Sequence, residues 1–436
     1  MKRVALYTAV ALCAGLAPAA AQNLVITNAH ILDGKGGDIA RGTVVVRDGM
    51  VASVGTAAAP NIPGARVIDA RGMTVMPGFI DAHRHIGTGD TWAGAEAAVR
   101  LQEFLDAGFT SVLSAGDGAP ALELRQRTNA GSLKGPRLFV GARVPLARAA
   151  APGAAPARAG GAGPGAQAPA GGGGGRRGDP ARFDNSRPPL RPTAAAGAVP
   201  REDTVNAVDT IAKAGYDFIK TTITATPGGP ETDTLKVVVE EGHKRNLPVI
   251  THAVTVIDTL AAVEARPDVL VHTPHIGRLE EDPAALEKIV RSGIPMTTTL
   301  AIFLPHFDQN NEPLFRDRLP FPWETISSAG QGPVNARLLW NAGISYGYGT
   351  DTSWHPRETL RDELRALNLT FSPRDIVRIM GLNAARSALK DKELGSLEPG
   401  KLADIVIVNG NPNEDSSALL NVMTTIKGGV VMVEKR

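Results

Sequence analysis

His83 and His85 stand two apart at the end of Met76-Pro77-Gly78-Phe79-Ile80-Asp81-Ala82-His83-Arg84-His85-Ile86. The apolar lead-in reads as a short buried strand, and on a strand residues i and i+2 face the same way. The two imidazoles therefore project together as the strand runs out. So placed, they can clamp one ion of zinc or a neighbouring metal, or they are simply polar residues at a strand end. The rest of the chain weighs on that choice. Lys220 lies in the apolar run Asp217-Phe218-Ile219-Lys220, His252 closes Pro248-Val249-Ile250-Thr251-His252, and His272 closes Val269-Leu270-Val271-His272. Asp351 closes Tyr346-Gly347-Tyr348-Gly349-Thr350-Asp351. One histidine after one strand is usually structural. Four histidines, a lysine and an aspartate, all at strand ends, argue for a single site.

The elements that must position them follow from the alternation of apolar runs. Short buried strands are expected at 110–113, 137–140, 218–223, 248–252, 269–272, 295–300 and 344–349, with the strand before His83 as the first. Amphipathic stretches at 93–107, 202–214, 232–245 and 283–291 separate them. A last helix opens with Ser372 as N-cap, Pro373 at its first position and Asp375 three residues on. Eight strand–helix units over residues 77–386 predict an α/β fold, a (β/α)8 TIM barrel whose site lies at the C-terminal ends of the strands. Residues 22–76 and 387–436 carry β-branched runs broken by Asp33-Gly34, Asp48-Gly49 and Gly428-Gly429. These are hairpin signals, and the two chain ends are expected to build one small β-sandwich.

Two segments fall outside this pattern. Residues 147–178 contain only Ala, Gly, Pro and Arg apart from Gln167, a composition that buries no core and predicts a flexible insertion after the third barrel strand. With flanking arginines such as Arg143 and Arg182 it is basic, and it reads as an inert loop, a lid or an anion-attracting arm. At the N-terminus Lys2 and Arg3 precede an apolar run at 4–16, and Ala19-Ala20-Ala21 fits a cleavage site. Residues 1–21 read as a signal peptide, with the mature chain exported to the bacterial periplasm and starting at Gln22; a retained anchor is the alternative. The run is too short to span a membrane. Cys13, the only cysteine, lies inside it, so the mature chain offers no thiol ligand, thiol nucleophile or disulfide. Lys2 and Arg3 also account for the formal charge of +2, which leaves residues 22–436 near neutral and argues against nucleic-acid binding by bulk charge.

The motifs together resemble the amidohydrolase superfamily, in the branch of imidazolonepropionase-like enzymes and metal-dependent dipeptidases of the prolidase type. Pro77 to His85 is similar to the family's first-strand motif and Gly349-Thr350-Asp351 to its eighth. Leu382-Asn383-Ala384-Ala385 and Gly395-Ser396-Leu397-Glu398-Pro399-Gly400-Lys401-Leu402-Ala403-Asp404 are similar to its return from barrel to sandwich. The resemblance covers essentially the whole mature chain. It implies two divalent metal ions, zinc by the nature of the donors. His83, His85 and Asp351 would hold the more buried ion and His252 and His272 the second. Lys220, N6-carboxylated by carbon dioxide, would bridge them. It also implies hydrolysis of an amide or peptide bond by a metal-bridging hydroxide, with Asp351 as the catalytic proton carrier. The substrate would be a small molecule: a dipeptide, including Xaa-Pro, or an N-acyl amino acid. For substrate contacts the sequence offers His275, Tyr348, His355 and Arg357, with His306 nearby; His275 also competes with His272 for the ligand role. A mononuclear cyclic amidohydrolase or deaminase of the imidazolonepropionase kind, and an inactive binding barrel, remain as alternatives. A homo-oligomer is compatible with the sequence, which does not fix the oligomeric state.

Overall fold

The computed structural model describes residues 22–87, 92, 94–147, 199–226, 228–304 and 326–435. The proposed signal peptide, nearly all of the Ala/Gly-rich insertion and His306 lie outside the described residues.

The first strands are β1 (Leu24–Leu32), β2 (Asp38–Arg47), β3 (Met50–Gly55), β4 (Arg66–Asp69) and β5 (Thr74–Pro77). The chain returns at its other end as β14 (Ile405–Val408), β15 (Val422–Lys427) and β16 (Val430–Glu434). Both ends join in one hydrogen-bonded sheet, in the order β16-β15-β14-β5-β1-β2-β3 with β4 paired to β1. Its apolar core is built from β-branched and aliphatic residues of both ends, among them Ile26, Val44, Val75, Ile405 and Ile426. β14 pairs antiparallel with β5 from Ile405 opposite Pro77 to Val408 opposite Thr74. The C-terminal segment thus clamps the strand that leads into the barrel.

The barrel strands are β6 (Phe79–Arg84), β7 (Phe109–Ser114), β8 (Arg137–Arg143), β9 (Phe218–Thr222), β10 (Val249–His252), β11 (Val269–Val271), β12 (Met296–Thr297) and β13 (Tyr346–Gly347). They lie side by side in chain order and parallel wherever paired. Backbone bonds between first and last close the ring: Ala82 N–H donates to Tyr348 O at 2.9 Å, and the N–H groups of Thr350 and Asp351 both donate to His83 O, at 3.0 and 2.7 Å. The fold is an α/β (β/α)8 barrel. Around it run α1 (Gly94–Asp106), α2 (Ala119–Asn129), α3 (Arg201–Lys213), α4 (Glu231–Lys244), α5 (Val256–Ala265), α6 (Pro283–Ser292), α7 (Ile326–Asn341) and α8 (Pro356–Asn368), followed by α9 (Pro373–Arg378). The Ser372–Asp375 capping box expected from sequence is formed at the start of α9.

The last strands are shorter than the sequence suggests. The apolar runs at 269–272, 295–300 and 344–349 pair only over Val269–Val271, Met296–Thr297 and Tyr346–Gly347, and the backbone past each paired stretch enters the left-handed region, at His272 (φ 83°), Thr299 (φ 45°) and Asp351 (φ 53°). Such conformations cost about 1–3 kcal/mol each for non-glycine residues and gather at functional sites. Here two of the three belong to the proposed ligand set.

Candidate metal centre

Closure of the barrel decides the geometry. Because His83 O accepts from the Asp351 amide, the end of β6 and the segment after β13 lie edge to edge, and their side chains meet over the barrel mouth. His83 Nε2 and His85 Nε2 each lie 2.9 Å from Asp351 Oδ1. Ligand atoms of these three residues all fall within 4.8 Å of one another. His272 approaches the other carboxylate oxygen, Nε2 to Oδ2 at 3.7 Å. Its ring packs edge-on against His83 at 5.1 Å and against His252 at 4.4 Å. Three imidazoles thus present the same nitrogen to one carboxylate, with His252 behind the third.

Lys220 lies mid-strand in β9, in register with Arg143 on one side and Ile250 on the other. Its side chain is buried, and Nζ finds no hydrogen-bond partner among the described residues. Burial drives its pKa well down, against the attraction of Asp351 and with the help of Arg143, since a low-dielectric site disfavours the charged amine. Burial likewise takes His83 down to about 3, helped by Lys220, and holds His272 well below its ordinary value, helped by His252. Burial alone would raise Asp351, but His83 and His272 outweigh it and hold the carboxylate well below the usual range. His85 goes the other way. Burial opposes its charge, yet Asp117 and Asp351 push it up to about 9.

These residues fit a metal. The donors are imidazole nitrogens and a carboxylate oxygen, the set that suits zinc and its neighbours. His83 Nδ1, His272 Nε2 and Lys220 Nζ are buried without partners among the described residues. Buried polar atoms are otherwise nearly always paired, so this group of orphans around one carboxylate is what a site built for an added cation leaves behind.

The substrate contacts suggested by sequence have partners of their own. Tyr348 is fully buried and packs on Phe109 at 5.7 Å. It faces the layer that holds Asp81, Arg84 and Glu363 because alternate residues along a strand point to opposite sides of the sheet. His275 is buried and stacked on Phe303 at 3.8 Å. Phe303 also touches His272, at 5.4 Å, and it is His272 that reaches Asp351. His355 sits at the start of α8, with Nδ1 3.1 Å from Glu103 and Arg100 also in contact. Arg357 is exposed on α8 in a shallow surface site with Glu358, Arg361 and Leu420.

Three residues that matter here escaped the sequence reading. Asp117 bonds His85, Ser114 and the Ile86 amide; as a polar residue just past β7 it obeys the same strand-end rule that picked out the histidines. Thr299 bonds Nδ1 of His272, and nothing distinguishes it within Thr297-Thr298-Thr299. Arg84, between the two histidines, is fully buried. It donates to Thr350 Oγ1 at 3.1 Å and Thr359 Oγ1 at 2.9 Å, contacts Trp354 O, and lies 3.5 Å from Asp81. A charged residue inside an apolar strand was its signal.

Residues 74–432 match the model of the family described as "Amidohydrolase family". The chain belongs to the amidohydrolase family. Among curated proteins, this amidohydrolase is 26% identical over 205 residues to an imidazolonepropionase of Shouchella clausii (strain KSM-K16), covering 45% of this chain and 40% of that one. It is 36% identical over 111 residues to an N-acyl-D-aspartate deacylase of Alcaligenes xylosoxydans xylosoxydans, covering 26% and 21%. The aligned part thus spans well under half of these relatives. Among solved structures, an amidohydrolase superposes with a TM-score of 0.72 at 22% identity, covering 95% of this chain and 100% of the other. A Xaa-Pro dipeptidase with bound methionine in its active site gives 0.69 at 21%, covering 94% and 99%, and an ochratoxinase from A. niger gives 0.68 at 20%, covering 95% and 96%. At these identities the structural likeness speaks for the fold.

Proposed function

We propose that the chain is an exported, binuclear metal-dependent hydrolase of C–N bonds that cleaves the amide or peptide bond of a small substrate, a dipeptide such as Xaa-Pro or an N-acyl amino acid. The observation that carries the binuclear reading is Lys220. A lysine buried without a partner is pushed toward the neutral amine, and only the neutral amine can add carbon dioxide, losing a proton to become a carbamate anion. Lys220 is close enough to His83 and to His272 to perturb both, so its carbamate could serve both halves of the site. His83, His85 and Asp351 would hold one ion, His252 and His272 the other, with Lys220 shared. Two such ions, when bound, supply an acidified water and polarise the scissile carbonyl. Asp351, kept anionic by its imidazole neighbours, is placed to take the proton of the attacking water and pass it to the leaving nitrogen. The net change is water added across the C–N bond, giving an acid and an amine.

A second reading, a mononuclear cyclic amidohydrolase, draws on the tight grouping of His83, His85 and Asp351 and on the imidazolonepropionase relative. Elemental analysis separates the two. About two ions per chain, with chelation abolishing amide hydrolysis and zinc restoring it, supports the first; one ion per chain with turnover of cyclic substrates alone rejects it. Asp351→Asn is expected to keep part of the metal and lose nearly all turnover, and near-normal kcat would sink the role assigned to Asp351. Export is tested by N-terminal sequencing of the mature protein from the periplasmic fraction, where Gln22 is the expected first residue.

A further inference from the structure

His85 and His272 turn the same ring atom toward Asp351, but their other nitrogens are held by groups of different kind. Nδ1 of His85 lies 2.6 Å from Asp117 Oδ1. Nδ1 of His272 lies 2.7 Å from Thr299 Oγ1. Asp117 is itself fixed: the Ile86 amide donates to Oδ2 at 2.8 Å and the Ser114 hydroxyl at 2.6 Å, and its side chain is only 2% exposed.

We infer that Asp117 and Thr299 make the two metal positions unequal, Asp117 giving the His83–His85–Asp351 position the tighter hold and Thr299 leaving the His252–His272 position the weaker, more exchangeable one. The inference rests on the binuclear reading above. Asp117 and Thr299 act through the histidines and are positioning residues.

The physical argument is one of tautomers. A neutral imidazole carries one N–H, and the partner of one nitrogen decides which atom has it. An ionised carboxylate only accepts. His85 must therefore donate from Nδ1, which leaves Nε2, facing Asp351 at 2.9 Å, as the nitrogen an incoming ion takes over. The negative partner also makes Nε2 a more basic ligand. A threonine hydroxyl can donate or accept. His272 can therefore relax, when no ion is held, to the form with its proton on Nε2, which cannot ligate, and binding there must first reverse that choice. His272 and Thr299 both adopt left-handed conformations, at φ 83° and φ 45°, and the His272 amide is held by Thr297 Oγ1 at 3.0 Å. Asp351, in the other half, is left-handed as well, at φ 53°, so both halves rest on strained turns. The carboxylate that orients His85 is anchored by the Ile86 amide, two residues past the end of β6, and by the Ser114 hydroxyl at the end of β7.

The test is a zinc titration of the full-length, metal-stripped mature protein against a competing chelator, resolving stepwise affinities, with elemental analysis for the number of ions. Wild type is expected to bind two ions in steps at least about tenfold apart. Asp117→Asn sets up a conflict. The Ile86 amide, a fixed donor, claims the single amide oxygen, so the NH2 group faces His85 Nδ1 and forces the proton onto Nε2. Loss of such an orienting partner typically costs about 10–100-fold in metal affinity, and here it should fall on the tight step alone, with the weak step and the melting temperature of the metal-free protein unchanged. Thr299→Ala should weaken only the weak step, by about threefold, the value of one neutral hydrogen bond. Ser114→Ala, which removes one support from Asp117 and leaves the carboxylate, should weaken the tight step by a similar factor, and it serves should Asp117→Asn fail to fold. If Asp117→Asn lowers both steps together, or neither, the inference is wrong. If wild type takes up a single ion, the binuclear reading fails, and the role of Asp117 stands only if that one step still weakens 10–100-fold in Asp117→Asn. A wild type that takes up no ion overturns both.

Discussion

Glu363 offers a test of the forces behind the metal centre without touching it. It projects from α8, is fully buried, and accepts from the amides of Leu300 at 2.9 Å and Ala301 at 2.8 Å. It thereby fixes the turn that begins at Thr299, the partner of His272. Burial raises its pKa from 4.5 to about 7, against the two amides and the Thr298 hydroxyl, which favour the anion. Between pH 4.5 and 7 the folded protein therefore binds a proton that the unfolded chain has released. Stability from this group is present below pH 4.5 and is lost as pH rises through 7. At about 1.4 kcal/mol per pH unit, that interval is worth about 3 kcal/mol. Glu363→Gln removes the titration. It leaves one amide without an acceptor, a roughly constant cost of about 1–3 kcal/mol at every pH. The assay is denaturant unfolding of both proteins from pH 4.5 to 8. The stability of wild type minus that of the variant should fall by about 3 kcal/mol up to pH 7 and level off above it. A flat difference, or one that rises with pH, would refute the reasoning, because it would mean that the two amides outweigh burial.

Other outcomes follow from the same packing. Arg84→Met should strip the buried Asp81 carboxylate of its cation and cost about 3–5 kcal/mol, read as a lowered denaturation midpoint. Adding Asp81→Asn to that variant should recover much of the loss, and no recovery would show that the Arg84–Asp81 pair is not the source. Tyr348→Phe deletes a buried hydroxyl with no partner among the described residues, so stability should hold or rise by up to about 1 kcal/mol with KM unchanged. A several-fold rise in KM would restore Tyr348 to the substrate site.

How much of this was legible in the sequence depends on the range of the interaction. The period of apolar runs marked the barrel strands to within a few residues, because strand burial is written locally, one side chain at a time. The same holds for the Ser372–Asp375 cap, whose partners are three residues apart. The positions of His83, His85, His252, His272 and Asp351 at or near strand ends were also visible, since parallel strands in a barrel bring their C-terminal ends to one face; Lys220, expected at a strand end too, lies in the middle of β9. Tertiary structure alone decided which atoms meet. The bond from the Asp351 amide to His83 O closes the ring across 268 residues of chain, and the left-handed turns at His272, Thr299 and Asp351 are set by packing, against local preference at the β-branched Thr299. The same holds for Tyr348, His355 and Arg357. Sequence places them near the right strand, but only the folded barrel and the course of α8 determine which side of the wall they face. Asp117 lies between these cases. Its place past β7 was readable, but its task, holding the far nitrogen of His85, exists only once β6 and β7 lie side by side.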